Sequence, residues 1–195
     1  MLKLTTPISE QTVRDLRAGD RLSLSGRIVT ARDSAHKLMV EKRPDFIRPY
    51  LKDSVIYHCG PVVAKNPDGT WRFVSAGPTT SSREEPYEAD VIKEYQVRGV
   101  IGKGGMGDKT MEGLVKCGAV YLHAIGGAGA LTAKCVKKVE DVLMLEELGS
   151  PEAFWIIEVE NFPLVVTMDS TGNSLHKDVE KASSVKFKEL IQQSK

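Results

Sequence analysis

The middle of the chain alternates two short strand-like segments with a glycine-rich turn and a helix, and this alternation restricts the fold more than any other feature. Val97–Ile101 is predicted to form a strand, and residues 102–107 read Gly-Lys-Gly-Gly-Met-Gly. Asp108–Cys117 is predicted to form a helix that ends at Gly118, because glycine is favoured just after a helix. Ala119–His123 predicts a second, buried strand. Strands that alternate with helices in this way indicate an α/β domain.

The flanking segments add further strands and helices. Apolar and polar residues alternate over Asp20–Thr30, which predicts a half-buried strand. A helix capped by Asp33 is predicted over Asp33–Lys42. The other predicted helices are Ser9–Ala18, Tyr87–Gln96, Ala130–Val139 and Ser174–Gln193, and the other predicted strands are Ser54–His58, Pro61–Lys65, Thr70–Ser75, Phe154–Glu160 and Leu164–Met168. Tight turns are expected at 66–69 and 161–163, and the whole pattern predicts one mixed α/β domain over residues 1–195.

The composition argues against several classes of protein. The 27 Lys and Arg residues nearly balance the 26 Asp and Glu residues, for a net charge of +1, whereas nucleic-acid-binding domains are usually basic. The longest apolar runs, such as Phe154–Ile157, are far too short to span a membrane. The N-terminal segment reaches Glu10 and Arg14 without the apolar stretch of a signal peptide. We therefore expect no nucleic-acid partner, no membrane segment and a cytoplasmic location.

Residues 102–107, here called the glycine turn, match the Gly-x-Gly-x-x-Gly spacing of dinucleotide-binding loops. Such a loop needs an acidic residue about 20 positions later to bind the ribose, but residues 119–139 contain no Asp or Glu. Backbone N–H groups at a helix start, together with the charge of Lys103, suit a carboxylate or another anion instead. The alternative is that the glycines serve only the tight turn and close helix–strand packing.

Residues 76–83, here called the hydroxyl loop, carry four hydroxyl side chains followed by Arg83. Hydroxyl groups can donate to or accept from a substrate, and an arginine binds a carboxylate through two parallel hydrogen bonds. The alternative is a solvent-exposed loop in which Ser81 or Ser82 caps a helix.

A third segment follows the first long strand and reads Arg-Asp-Ser-Ala-His at 32–36. Arg32 could bind a second carboxylate, and His36 lies one helical turn beyond it, so both can face one site. The alternative for His36 is a purely structural role, which is more common for a single histidine on a helix.

Taken together, these segments resemble a known family. Arg-Asp-x-x-His at 32–36, Gly-Pro-Thr-Thr-x-x-Arg at 77–83 and Val-x-Gly-Lys-Gly-Gly-Met at 100–106 occur in that order. They resemble the β subunit, or C-terminal domain, of the class I iron–sulfur-dependent fumarases and L-tartrate dehydratases. Further matching motifs are Ile-Gly-Gly-Ala-Gly-Ala-Leu at 125–131, Glu-Leu-Gly-x-Pro-Glu at 147–152 and Asp-Ser-x-Gly-Asn at 169–173. The resemblance thus extends over nearly the whole chain.

The resemblance implies a fold, a reaction and a partner. The fold would be a swivelling β/β/α domain with a mixed sheet. The reaction would be the reversible hydration of fumarate to malate, or the dehydration of tartrate to oxaloacetate. A [4Fe–4S] cluster would be held by three cysteines of the α subunit, and its open iron would bind the substrate hydroxyl and a carboxylate as a Lewis acid. We therefore expect a cluster-bearing α partner, a dicarboxylate substrate and a dimer of αβ pairs, with no metal bound by this chain.

The matching motifs also imply roles for individual residues. The residues expected to bind the substrate carboxylates are Arg32, Arg83, Lys103 and Gly104. Thr79 would sit where the family places the group implicated in proton transfer at C3, although a free alcohol is a poor base and needs an activating neighbour. His36 falls in a matching motif and is expected to have a catalytic role.

Cys59, Cys117 and Cys135 test this reading, because three thiolates are what a [4Fe–4S] cluster with one open iron requires. They are widely spaced and lie in predicted strands or helices, so we interpret them as small buried hydrophobic residues, with cluster ligation as the alternative. A non-catalytic module that binds dicarboxylates with the same cations is the alternative from another functional class.

Overall fold

The computed structural model describes residues 1–193 and shows a mixed α/β architecture. The strands are β1 (Leu2–Thr5), β2 (Arg21–Thr30), β3 (Val55–Tyr57), β4 (Val62–Lys65), β5 (Trp71–Ser75), β6 (Gly99–Gly102), β7 (Val120–His123), β8 (Val136–Leu143) and β9 (Phe154–Met168). The helices are α1 (Glu10–Asp15), α2 (Asp33–Lys42), α3 (Arg48–Leu51), α4 (Glu88–Tyr95), α5 (Asp108–Cys117), α6 (Gly129–Ala133), α7 (Leu145–Leu148) and α8 (Leu175–Gln193). Single 3-10 turns lie at Asp45–Ile47 and Ser81–Arg83. Within residues 1–193, no helix combines the length and the apolar character needed to cross a membrane.

Seven strands form a mixed sheet in the order β1-β2-β3-β6-β7-β9-β8. The first five of these pair in parallel, whereas β9 runs antiparallel to each of its neighbours. β9 also pairs with β2 along most of its length, so β2, β3, β6, β7 and β9 form a closed ring of paired strands. The mixed α/β sheet predicted from the sequence is confirmed.

The ring of strands separates two apolar cores. Side chains alternate between the faces of a strand, so Tyr57 belongs to the inner core, whereas the adjacent Ile56 belongs to the outer core under the helices. The hairpin β4–β5 covers one end of the inner core, where the Phe73 ring packs edge-on against Trp155. The outer core contains the buried faces of α2, α4 and α5. Both faces of the parallel strands are therefore covered, as is usual for parallel sheets.

The helix predicted over Ala130–Val139 is wrong beyond its first four residues, because the segment turns and continues as a strand from Val136. The helix α6 ends at Ala133, and β8 pairs with β9 along the edge of the sheet. Val136, Val139 and Val142 all pack against the inner core. Branched side chains favour strands, and charged residues between them suit an exposed edge strand.

The tight turn predicted at 161–163 is also absent, because β9 runs unbroken through it. Asn161 has φ of 53°, and the pairing of β9 with β2 shifts register beside it. Pro163 lies opposite Ser23 of β2, in the stretch where β9 has left β8 and has not yet reached β7. A proline and a bulge are tolerated at such an edge position.

A buried carboxylate, Asp169, holds the turn that follows β9. It accepts hydrogen bonds from the backbone N–H groups of Ala18 (3.0 Å), Thr171 (2.9 Å) and Asn173 (3.1 Å). Burial alone would raise the pKa of Asp169, but these bonds outweigh it and lower that pKa to about 2. The Asp-Ser-x-Gly-Asn motif is therefore a structural turn that ties the end of β9 to the segment before β2.

We expect Asp169→Asn to lower the free energy of unfolding by about 1–2 kcal/mol at neutral pH, because an amide cannot accept at both positions. A carboxyl group with a lowered pKa contributes its stability above the unfolded value of 3.8 and loses it as the pH falls toward about 2. The difference between the wild type and the variant should therefore shrink in acid. Denaturant unfolding between pH 2 and 7 measures it, and a difference that does not change with pH would contradict this role.

Candidate functional site

The segments that carry the predicted site residues meet at one edge of the sheet. Arg32 follows β2, and Lys103 follows β6. The hydroxyl loop lies between them, since the Thr79 N–H donates to the carbonyl of His58 just after β3 (2.7 Å) and the Ser81 N–H donates to the carbonyl of Lys103 (3.1 Å). This is the edge formed by the carboxyl ends of parallel strands, where α/β proteins commonly bind ligands.

Arg83 and Thr79 are in direct contact within the hydroxyl loop. The Arg83 Nη2 donates a hydrogen bond to Thr79 Oγ1 (2.8 Å), and half of the Arg83 side chain (51%) stays exposed. A guanidinium group in this position stabilises negative charge on the hydroxyl oxygen. A neighbour able to activate the Thr79 hydroxyl is therefore present, and it comes from the same loop.

Arg32 is held in place by acidic side chains and lies against a glycine. Its Nε lies 3.3 Å from a carboxylate oxygen of Glu152. Asp33 sits between the two arginines, 3.8 Å from the Arg32 guanidinium and 3.7 Å from that of Arg83. A Cβ on Gly60 would come within 2.6 Å of the Arg32 guanidinium, so this position has no room for a side chain. The two arginines already share one carboxylate of the chain, which is the chemistry expected for a carboxylate ligand.

Lys103 and Gly104 lie beside the hydroxyl loop in the glycine turn. Gly104 and Gly105 have φ values of 84° and 76°, a region that favours glycine. Gly105 also packs against the His176 ring, which a Cβ would approach to 2.6 Å. Within residues 1–193, the Lys103 amino group has no hydrogen-bond or ion-pair partner. It is an available cation on a residue whose backbone pairs with Thr80 of the hydroxyl loop.

The start of α5 does not provide the anion site that the sequence suggested, and this prediction is wrong. Glu85 occupies it: its carboxylate accepts from the N–H of Gly107 (2.7 Å) and from the N–H of Thr110 (3.1 Å). The N-cap residue is Gly107, and Asp108 makes no side-chain cap bond. Likewise, α2 has Arg32 as its N-cap residue in place of the predicted Asp33. The positive charge at this edge comes from the side chains of Arg32, Arg83 and Lys103, here called the cationic edge.

His36 is fully buried and points away from the cationic edge. Its Nδ1 donates to the carbonyl of Arg32 (2.8 Å), and its Nε2 lies 3.1 Å from Glu88 Oε2. The same carboxylate oxygen lies 2.8 Å from Nε2 of His58, which is also fully buried. The structure thus brings Arg32, Thr79, Arg83, Lys103 and Gly104 together at the surface, and places His36 in a layer below them.

The charges in this buried layer compensate one another. Burial alone would raise the pKa of Glu88, but the two imidazoles outweigh it and hold that pKa at about 2. Burial alone would lower the pKa of His36, but the Glu88 carboxylate outweighs it and raises that pKa. Glu84 is also fully buried, has no hydrogen bond to either carboxylate oxygen, and has its pKa raised by burial. Glu88 is therefore the more acidic of these two glutamates.

The chain's cysteines do not fit an iron–sulfur cluster. Cys59 lies in the inner core, whereas Cys117 packs against the outer core on the other face of the sheet. Burial raises the pKa of Cys59 to about 12, and it also raises the pKa values of Cys117 and Cys135. Cluster ligands are thiolates that converge on one point, and these thiols are neither convergent nor easily ionised.

Within residues 1–193, this edge carries two arginines, a lysine with an unpaired amino group and an arginine-bound hydroxyl, a combination that is chemically suited to small anions such as carboxylates. The family described as Fumarase C-terminus matches residues 1–179, and the chain belongs to this family.

Curated relatives support the same assignment. The chain is 48% identical over 195 residues to a Geobacillus stearothermophilus protein provisionally named fumarate hydratase class I, of which it spans only 37%. It is 44% identical over 175 residues to the L(+)-tartrate dehydratase subunit beta of Escherichia coli K12, covering 88% of this chain and 85% of that one. It is also 44% identical over 187 residues to a Methanocaldococcus jannaschii protein provisionally named as the same subunit, covering 94% and 95% of the two chains. These names place its relatives among hydro-lyases.

Proposed function

We propose that this chain is the β-type part of a [4Fe–4S] fumarate hydratase, which hydrates fumarate reversibly to (S)-malate at a site shared with an α subunit. The observation that carries the proposal is the hydrogen bond from Arg83 to Thr79 in the middle of the cationic edge. It combines a carboxylate-binding group with an activated hydroxyl, and both are needed to move a proton next to a carboxylate. The ring of strands under helices is consistent with the swivelling β/β/α fold that the family resemblance implies.

Three cations of the chain bind the substrate in this proposal. A dicarboxylate carries two negative charges, and Arg32, Arg83 and Lys103 meet it at one edge, with the exposed Gly104 allowing close approach to the backbone. Asp33 lies between the two guanidinium groups and attracts both, which keeps the two arginines at this edge. Arginine pairs orient a planar carboxylate as well as attract it.

Thr79 moves the proton at C3 of the substrate in this proposal. In the hydration direction its hydroxyl donates its proton to C3, and the Arg83 guanidinium 2.8 Å away stabilises the negative charge left on the oxygen. The oxygen then regains a proton from the water molecule that adds to the double bond, and in the reverse direction the negatively charged oxygen accepts the proton from C3. As the substrate's own charge develops beside its carboxylate, the remaining cations of the edge stabilise it in turn.

The α subunit completes the site in this proposal. Two relatives are named as β subunits, and the Geobacillus protein is far longer than the segment that this chain matches. Since the cysteines of this chain do not fit a cluster, the [4Fe–4S] group is assigned to the α subunit, where it would act as a Lewis acid on the substrate. We further propose a cytoplasmic dimer of αβ pairs.

L(+)-tartrate dehydration is the second candidate function, since relatives at 44% identity carry that name. A turnover assay of this chain, alone and co-purified anaerobically with the α subunit of the same source, separates the candidates. We expect no turnover by the chain alone and a higher kcat/KM for fumarate than for L-tartrate with the pair. The reverse preference would show a tartrate dehydratase. Binding of both acids without turnover would show a non-catalytic dicarboxylate module.

Lys103→Met should show whether Lys103 binds the substrate or only supports the glycine turn. The Lys103 amino group has no partner within residues 1–193, and the glycines set the backbone, so we expect the melting temperature of the isolated chain to stay the same or rise slightly. The assembled enzyme should lose at least about tenfold in kcat/KM, or about 1.4 kcal/mol. Thermal melting and steady-state kinetics of one variant decide this. A variant that melts lower and turns over normally would make the lysine structural.

A further inference from the structure

A chain of buried polar side chains lies directly beneath the cationic edge. Glu88 Oε2 contacts Nε2 of His36 at 3.1 Å and Nε2 of His58 at 2.8 Å. The other ring nitrogen of His58 is hydrogen-bonded to Ser81 Oγ (2.9 Å), and Ser81 Oγ is hydrogen-bonded in turn to the Tyr121 hydroxyl (2.8 Å). All five side chains are buried, and we call them the buried network.

Each segment of the cationic edge is fastened to a member of the buried network. The Arg32 carbonyl accepts from Nδ1 of His36 (2.8 Å). The Thr79 N–H donates to the His58 carbonyl (2.7 Å), and the Lys103 carbonyl accepts from the Ser81 N–H (3.1 Å). Three loops that are far apart in sequence are therefore each bonded to a member of the buried network, Arg32 through the His36 ring, and Thr79 and Lys103 through backbone bonds to His58 and Ser81.

The strand next to the network is shaped to let it close. A Cβ on Gly102 would overlap the Ser81 hydroxyl and would come within 2.8 Å of the Tyr121 hydroxyl and 3.2 Å of Nδ1 of His58. The first glycine of the glycine turn thus makes room for the network, in addition to starting the turn. The space that Gly102 leaves is a second observation, and it argues that the buried network is more than incidental core packing.

We propose that Glu88 is a positioning residue, which holds Arg32, Thr79 and Lys103 in the geometry of the site through the two histidines and Ser81. The proposal rests on the proposed function for what the site does, but the connections themselves do not depend on it. Because Nδ1 of His36 donates to a carbonyl, the 3.1 Å contact of its Nε2 with the Glu88 carboxylate is an ion pair when the ring is the doubly protonated imidazolium. Glu88 then stabilises that ion and fixes both rings at once.

A divalent cation is the other ligand that such a group could hold, since two imidazole nitrogens and a carboxylate oxygen lie within 4.8 Å of one another. The distances favour direct hydrogen bonding. Ligand atoms about 2.1 Å from a tetrahedral zinc ion lie about 3.4 Å apart, whereas the His58 and Glu88 atoms are only 2.8 Å apart. That separation is typical of a charge-assisted hydrogen bond.

Three variants test the proposal. Glu88→Ala removes the bridge between the histidines, and Ser81→Ala removes the side-chain bond from the hydroxyl loop to the His58 ring while leaving that bridge in place. Glu94→Gln is the matched control on the same helix, since its carboxylate pairs with Arg48. The first measurement is amide hydrogen exchange by NMR at positions 79 and 81 of the full chain, relative to core amides of β9. The second is kcat/KM of the assembled pair with fumarate.

We expect the relative exchange at positions 79 and 81 to rise at least tenfold in Glu88→Ala and in Ser81→Ala, and kcat/KM to fall at least tenfold in both. Glu94→Gln should stay within threefold of the wild type in both measurements. If Glu88→Ala does not fold, Ser81→Ala decides alone.

Unchanged exchange would overturn the proposal, as would faster exchange with normal kcat/KM, which would leave the network a purely structural role. One equivalent of divalent metal in the purified wild-type chain would show a metal site in its place. A wild-type pair that turns over neither fumarate nor L-tartrate would refute the proposed function. Faster exchange in Glu88→Ala and Ser81→Ala would still support the positioning of the loops in that case.

Discussion

Thr79→Ala should lower kcat of the assembled enzyme by about 10²–10⁴-fold, which is the usual contribution of a positioned proton-transfer group. The KM for fumarate should change by only a few-fold, because the carboxylates are bound by other side chains. The effect is expected in kcat because the Thr79 oxygen, hydrogen-bonded by Arg83, carries its charge mainly in the transition state. Steady-state kinetics of the pair in both directions measure it.

Thr80→Ala is the matched control for this variant. Thr80 is the next residue of the same loop, it is exposed, and it pairs with Lys103 only through the backbone. We expect its removal to leave kcat within about threefold of the wild type. A loss of kcat in Thr80→Ala as large as that in Thr79→Ala would show that the reactive hydroxyl belongs to Thr80.

Arg83→Lys should lower kcat/KM by about 30- to 1,000-fold, although the charge is kept. This loss corresponds to about 2–4 kcal/mol, the contribution of a charge-assisted pair in a closed site. An ammonium group cannot donate to Thr79 and to a substrate carboxylate with the geometry of the planar fork. Arg72→Lys, on the exposed strand β5, is the control and should have no effect. Near-normal turnover of Arg83→Lys would make Arg83 a surface residue.

Local patterns predicted most of the fold where a helix or strand has a clear period. The helices Asp33–Lys42 and Asp108–Cys117 begin and end at the residues that the sequence indicated. The failures occur where pairing partners decide the structure. Val136–Leu143 is a strand because β9 lies beside it, and β9 continues through Pro163 because β2 supports it there. The closure of the ring by the pairing of β9 with β2 leaves no local signal in the sequence at all.

The surface of the candidate site could be predicted from motifs, and its interior could not. Arg32, Thr79, Arg83 and Lys103 fall in short motifs, and the structure brings them to one edge. His58 and Glu88 are 30 residues apart and meet only through the packing of α4 against the sheet. The sequence offers one signal, which is that the acidic residues Glu84 and Glu88 lie one helical turn apart. The structure shows that both side chains are buried.

The helix-start argument for the glycine turn failed for a similar reason. The carboxylate that occupies the start of α5 comes from Glu85, more than twenty residues earlier in the chain. A charge that is distant in sequence can satisfy a helix terminus as well as a local cap does. Glu85 therefore occupies the position at the start of α5 that an anionic ligand would need.

The most direct test of this account is an anaerobic crystal structure of the assembled αβ pair with succinate, an unreactive dicarboxylate. The account predicts one carboxylate within about 3 Å of the Arg83 guanidinium and the Lys103 amino group, with the central carbons next to Thr79 Oγ1. A succinate bound elsewhere, with Arg83 and Thr79 facing solvent in the assembled enzyme, would contradict it.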